Sequence, residues 1–232
     1  NSLVIEDCAL AMDAQYDSLK AGNLGDCGSF SFYPVKHMTS IEGGMVTTNN
    51  KYLAEQIRKK KAFGYNKSLG ERTRPGQYDV DALGFNYRMN EIEAAVGLCQ
   101  LERLDKHLKV REKNFDILNN KLKQLGSVKL FPKNSGKSTS SFYCFNIVIK
   151  ENSKIDRNTL QDKLKEIGIG SSIHYPSAVP LFTYYSKKYN YKKGDFPNAE
   201  FLGDNTISLP IGPHISEKEA NFIADSLFEF LN

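Results

Sequence analysis

Ser29-Phe30-Ser31-Phe32-Tyr33-Pro34-Val35-Lys36, followed by Glu42-Gly43-Gly44-Met45-Val46, is the stretch on which the fold turns. Ser29 to Phe32 alternates polar and apolar residues, the period of a strand. Pro34 ends that run, and a lysine follows among mostly uncharged neighbours, with Pro34, Val35 and Met38 beside it. Upstream, Leu3-Val4-Ile5-Glu6-Asp7 is an apolar strand that delivers a carboxylate at its C-terminal end. Open α/β sheets gather ligand-binding groups at such ends. Gly44 to Thr48 reads as another strand, so an α/β sheet is expected here.

Working outward, Ala9 to Gly25 reads as a short helix or loop, and Asn49-Asn50 as the cap of a helix from about Lys51 to Ala62. Its basic run Arg58-Lys59-Lys60-Lys61 reads as a solvated face. Residues 64 to 84 are polar and rich in Gly and Arg, a long loop of the kind that carries function. Asn90-Glu91-Ile92-Glu93 opens a helix with Ile92, Ala95, Val96 and Cys99 on one face. A second helix is expected over Val110 to Leu125, with Phe115, Leu118 and Leu122 as its stripe.

The remainder mixes strands (Val128–Phe131, Phe142–Ile149, Ile169–His174) with a helix over Asn158–Ile167 and a final one capped by Ser216-Glu217-Lys218-Glu219. The chain therefore divides near residue 126 into 1–126, part of a large mixed-sheet domain, and 127–232, a small α+β domain. The chain begins at Asn1 and enters a core-like strand almost at once, so it reads as truncated at its N-terminus.

Composition narrows the function classes. The 232 residues carry 31 basic and 27 acidic groups, a net charge of +4 spread along the chain. That argues against a nucleic-acid groove and suits phosphate-bearing small molecules. Cys8, Cys27, Cys99 and Cys144 form no CxxC pair, so neither a metal site nor a disulfide framework is expected. They read as buried free thiols of a cytoplasmic protein, and no run is long enough for a membrane helix.

A carboxylate at one strand end and a lysine in a nearby loop are the protein groups that pyridoxal phosphate (PLP) chemistry needs. Lysine becomes a nucleophile when it is desolvated, and Asp7 would keep the pyridine nitrogen protonated. Ser31, a short hydroxyl before the lysine, suits the phosphate.

At this point the chain resembles the DegT–StrS-type sugar aminotransferases, PLP enzymes of fold-type I. The matching residues are Val4-Ile5-Glu6-Asp7, Gly25-Asp26, Ser29 to Lys36, Glu42 to Val46, Gly84-Phe85-Asn86-Tyr87-Arg88-Met89, Ala94-Ala95, Gln100-Leu101, His174-Tyr175-Pro176 and Ser208-Leu209-Pro210. The resemblance runs nearly end to end. It implies Lys36 as the Schiff-base lysine and proton shuttle, Asp7 as partner of the pyridine nitrogen and Ser31 as a phosphate ligand.

It implies further that Asn86 reaches the cofactor phosphate of a neighbouring subunit in a homodimer with shared sites, and that Tyr33 and His174 face the sugar. The implied reaction moves an amino group, from glutamate, to a nucleotide-linked keto-deoxysugar for surface polysaccharide or amino-sugar synthesis. The alternatives are a PLP-dependent sugar dehydratase, whose relatives replace the lysine by histidine, and a fragment of the fold that binds no cofactor. Leu10 stands where the family commonly has glutamine, and Met12-Asp13 where it has His-Gly.

Overall fold

A computed structural model describes residues 2–67 and 69–232; Asn1 and Ser68, the latter inside the expected 64–84 loop, lie outside the described residues. In chain order the strands are β1 (Ile5–Asp7), β2 (Gln15–Tyr16), β3 (Leu19–Lys20), β4 (Cys27–Ser31), β5 (Gly44–Thr47), β6 (Val128–Leu130), β7 (Asn134–Ser135), β8 (Ser138–Thr139), β9 (Phe145–Ile149) and β10 (Thr206–Leu209). The helices are α1 (Lys51–Lys60), α2 (Glu91–Leu101), α3 (Leu104–Leu122), α4 (Arg157–Glu166), α5 (Thr183–Tyr189), α6 (Pro197–Asn205) and α7 (Glu217–Leu231). This is the mixed α/β architecture expected. The chain forms two compact units, residues 1–105 with 134–141, and residues 106–133 with 142–232.

In the first unit β1, β4 and β5 form one sheet in that order, β1 parallel and β5 antiparallel to β4. The Gly43-Gly44 pair lets β5 come alongside. Gly43 has φ 141°, and a Cβ there would lie 2.6 Å from Ser40 Oγ. A Cβ on Gly44 would lie 2.5 Å from the carbonyl of Phe30. A side chain at Gly44 would push β5 away from β4, and one at Gly43 would collide with Ser40 at a backbone angle that other residues rarely adopt. Asn50 caps α1 by accepting from the Leu53 amide at 3.1 Å, as its sequence foretold.

The expected short helix or loop over residues 9–25 is instead a set of turns around a small hairpin. β2 and β3 are joined by Asp17-Ser18, both at positive φ (50° and 67°), the conformation of a two-residue hairpin turn. β8 adds to β2 and β7 to β8, so residues 134–141 belong to this sheet. Strands of two residues carry too little alternation to be read from sequence.

α2 starts with the expected capping box: Asn90 Oδ1 accepts from Glu93 N (2.9 Å) and a Glu93 carboxylate oxygen accepts from Asn90 N (3.1 Å). Its expected apolar face does not turn inward. Ile92 is 71% exposed and Cys99 is exposed too, while Gly97 is the buried position, close to the Ser40 side chain.

The second unit has a sheet in the order β10-β9-β6, antiparallel throughout. α3, α4 and α7 supply its helical layer. Phe115, Leu118 and Leu122 of α3, Leu160 and Leu164 of α4, and Ala220, Ile223, Leu227 and Leu231 of α7 form one cluster with Phe145, Ile147 and Ile207. This explains the division of the chain: the expected boundary near residue 126 falls inside the second unit, because the α3 stripe packs into the core formed by later strands. Asn114 reinforces α3 by donating from Nδ2 to the carbonyl of Ile215 (3.0 Å).

Ser216 Oγ accepts from Glu219 N (3.3 Å), and the Glu219 carboxylate accepts from Ser216 N (2.7 Å), so the predicted capping box opens α7. The strand expected over Ile169–His174 is reduced to one bridge, Ser172 to Ser208, since only Ser172 carries the paired backbone there. α5 and α6 lie in the stretch after Pro176, where the sequence reading placed no element. No helix among the described residues is long and apolar enough to cross a membrane.

Candidate functional site

Registration of the first sheet decides the site. Asp7 lies opposite Ser29 across the β1–β4 pair. Ser31 is two residues further along β4, and side chains alternate faces along a strand. Asp7 and Ser31 therefore project from the same face, which Ser29 and its β5 partner Val46 share. Glu6 projects from the other face. There its carboxylate accepts from the amides of Gly22 (2.8 Å), Leu24 (2.7 Å) and Gly25 (2.7 Å) and folds the loop before β4. Burial pushes the Glu6 carboxyl up, but the backbone N–H groups of Gly25, Gly22 and Leu24 together outweigh it and hold it below the usual carboxylate range. Sequence reading passed over Glu6, because its three partners come from a loop about twenty residues away.

Past Ser31 the chain makes the turn that carries Lys36. Pro34 fits the second position of the Tyr33–Lys36 turn, closed by Lys36 N donating to Tyr33 O at 3.0 Å. Ser31 Oγ accepts from Tyr33 N (3.3 Å), which leaves its own hydroxyl proton for another acceptor. Lys36 is half-buried, Tyr33 is exposed, and Asp7 is exposed with Oδ1 accepting from Ala9 N at 3.1 Å.

His37 pins this turn from below. Its ring is buried, and Nε2 lies 2.9 Å from the Ser141 carbonyl. A carbonyl only accepts, so Nε2 carries the proton. Ser141 Oγ in turn donates to the carbonyl of Leu10 at 2.8 Å. One residue from the 134–141 segment thus ties the lysine turn to the turn that follows Asp7. Leu10 enters the site only through that backbone carbonyl. Asp13, at φ 63°, pairs with Lys20.

Asn86 lies in the same unit, exposed, in a backbone bridge with Ala62. Its Oδ1 accepts from Arg88 Nε at 3.3 Å, and the Arg88 guanidinium stacks over Phe63 at 4.9 Å. Arg88 borders a cavity of about 710 Å3 that sequence reading did not find. Arg58, Lys59, Lys67, Arg72 and Arg88 face it, against the carboxylates of Glu55 and Glu71. The basic run of α1 is thus only partly a solvated face: Arg58 and Lys59 line the cavity, and Lys59 pairs with Asp81. Arg72 stacks on Tyr65 (5.0 Å) and Tyr78 (4.7 Å), and its buried Nε has no hydrogen-bond partner. The arginines of the loop were the available signal, but only folding shows which of them converge. His174, the remaining sequence candidate, belongs to the second unit.

The Asp7 carboxylate and Ser31 hydroxyl sit on one strand face, and Lys36 in the turn next to it. The DegT/DnrJ/EryC1/StrS aminotransferase family model matches residues 1–228. The chain belongs to that family. Among similar proteins are GDP-perosamine synthase of Caulobacter vibrioides, 33% identical over 100% of this chain and 59% of its own length, and the spore coat polysaccharide biosynthesis protein SpsC of Bacillus subtilis, 32% identical over 97% and 58%. Among solved structures, the PLP form of a Streptococcus pneumoniae sugar aminotransferase superposes with a TM-score of 0.87 at 25% identity, covering 98% of this chain and 57% of that one. The chain thus spans under three-fifths of the length of these family members.

All four cysteines are free; Cys8 and Cys27 are buried as expected, Cys144 is partly buried, and Cys99 is exposed on α2.

Proposed function

We propose that this chain carries the lysine-bearing part of a PLP-dependent aminotransferase that aminates a nucleotide-linked keto-deoxysugar for polysaccharide or amino-sugar synthesis. The observation that carries the reading is the shared sheet face of Asp7 and Ser31, with Lys36 in the turn directly after it. The donor set fits PLP: a carboxylate for the pyridine nitrogen, a hydroxyl for the phosphate and an amine for the aldehyde carbon. When bound, PLP supplies an electron sink for the carbon that loses its proton.

The chain's own residues do the rest. Asp7 holds a proton on the pyridine nitrogen. Ser31 binds the phosphate through its uncommitted hydroxyl proton. Lys36 Nζ would hold the cofactor's aldehyde carbon and would carry a proton to or from the reacting carbon, that of the amino donor (for which we take glutamate) in one half-reaction and that of the sugar ketone in the other. Half-burial of Lys36 and the anchoring of His37 to Ser141 support a held lysine turn.

The cationic cavity beside Arg88 supports a phosphate-bearing substrate, since five cations face it against two carboxylates. The names of the relatives agree, one a GDP-sugar enzyme and one a polysaccharide protein. We further propose a cytoplasmic homodimer in which Asn86 reaches the neighbouring subunit's cofactor. Exposed Leu83, Phe85 and Tyr87 around Asn86, and Ile92 and Leu98 on α2, support cover by a second copy. Tyr33 and His174 are assigned to the sugar.

The test is to mix the chain with PLP, reduce with borohydride and map the peptides. A pyridoxyl label on Lys36, absent from Lys36→Ala, is expected. A label spread over surface lysines, or one that persists at the same yield in Lys36→Ala, refutes the assignment.

A further inference from the structure

The second unit holds a polar cluster that the lysine chemistry does not use. Asn146 of β9 and Ser208 of β10 are cross-strand partners, and Cys144 precedes β9. His174 reaches the cluster from the segment bridged at Ser172. Ser208 is buried; His174 is exposed.

Proton counting fixes the direction of each bond. Asn146 Oδ1 lies 2.6 Å from Ser208 Oγ and 3.4 Å from Cys144 Sγ. An amide oxygen only accepts, so the single proton of Ser208 is committed to it. Burial pushes the Cys144 thiol up, which keeps it an S–H donor to the same oxygen. The side of Ser208 Oγ that faces His174 Nδ1, 3.3 Å away, is therefore a lone pair. It is satisfied only if Nδ1 carries the ring proton. In neutral imidazole one nitrogen donates and the other accepts, so Nε2 becomes the acceptor.

We infer that Asn146 and Ser208 are positioning residues that lock His174 in the Nδ1–H tautomer and present its Nε2 lone pair, on an exposed ring, to a hydroxyl or amine donor of a ligand. The assignment deepens the reading of His174 as a sugar-facing residue and rests on it for the ligand. A sugar bearing a hydroxyl at that point gains a hydrogen bond, and a deoxy centre there gains none. Serine is suited to the relay because it has one proton to give and lone pairs left to receive. Alanine at 208 would release Nδ1 from its partner, whereas threonine would keep the relay.

The lock is tested by long-range 1H–15N correlation spectra of the whole chain labelled at histidine nitrogen. Spectra are taken at about pH 8, above the ordinary histidine range, with His174 assigned by loss of its signals in His174→Gln. The expected result is a protonated Nδ1 and an unprotonated Nε2, a loss of that pattern in Ser208→Ala, and its return in Ser208→Thr. A purely structural role for Ser208 would leave the tautomer where it was. An Nε2–H pattern in the parent chain, or one indifferent to Ser208→Ala, overturns the proposal.

The tautomer is read without any sugar present, so its failure is separate from that of the functional reading. That reading is probed with GDP-mannose: His174→Phe is expected to weaken its binding several-fold, the worth of one hydrogen bond. Unchanged binding would remove the sugar from His174.

Discussion

Replacing His37 by Ala should loosen the lysine turn without touching the lysine. The ring is 4% exposed, and its Nε2–H is the donor that reaches the Ser141 carbonyl at 2.9 Å. Truncation leaves that carbonyl without this donor, a loss of about 1–3 kcal/mol for a buried polar group. It also empties the ring volume, which for a side chain smaller than Phe costs about 2 kcal/mol, below the range for Phe truncations. The sum is about 3–5 kcal/mol, a large part of the ~5–15 kcal/mol that holds a typical protein folded.

His37→Gln keeps an amide N–H and part of the volume, and should lose about half as much. The chain has no Trp, so urea unfolding is followed by far-UV circular dichroism and tyrosine emission. Hydrogen exchange gives the local readout at the Ser40 amide, which donates to Phe32 O at 3.0 Å, and at the Phe32 amide, which donates to Gly43 O at 2.9 Å. Both should exchange faster in His37→Ala and recover in part in His37→Gln, and the yield of pyridoxyl label on Lys36 should follow the same order. A loss under about 1 kcal/mol with unchanged exchange, or a Gln variant no better than Ala, would show that His37 does not hold the turn.

The Glu6 carboxyl is held below its usual value, so the deprotonated form favours the folded state. That stability is present above the ordinary Glu range near 4.5 and is lost as pH falls through the lower folded value. Glu6→Gln should flatten the acid limb of a pH–stability curve below that point, and an unchanged limb would refute the role. Ile147→Ala, at a fully buried position of β9, should cost about 2–5 kcal/mol in urea unfolding; a loss below 1 kcal/mol would contradict its place in the core. Asn90→Ala removes one half of the α2 capping box and should cost about 1 kcal/mol, with the Glu93 amide exchanging faster.

The parts that sequence made legible are those whose cause is local. Asn50, Asn90 and Ser216 announced their helices because a cap bonds to an amide three residues away. The stripe Phe115, Leu118, Leu122 announced α3 because 3.6 residues make a turn. Asp7, Ser31 and Lys36, the residues proposed for the chemistry, were singled out by the joint pattern that carries the family resemblance; locally, only the strand end and the proline turn around them were legible.

What needed the tertiary structure is whatever depends on distant partners. Alternation says that Ser29 and Ser31 share a face of β4, but only pairing with β1 puts Asp7 on that face too. The apolar residues of α2 have the period of an inward face, yet contact with Ser40 through Gly97 turns Ile92 and Cys99 outward. His37 looked unremarkable beside Lys36 until the chain returned a hundred residues later with the Ser141 carbonyl. The convergence of Arg58, Lys67, Arg72 and Arg88 on one cavity is of the same kind. The sequence by itself determined where the capped helices α1, α2 and α7 start, because a cap bonds to near neighbours along the chain. Which face each group presents, and to what, was decided only by the pairing of strands far apart in the chain, because a shared face is a property of two strands and not of one.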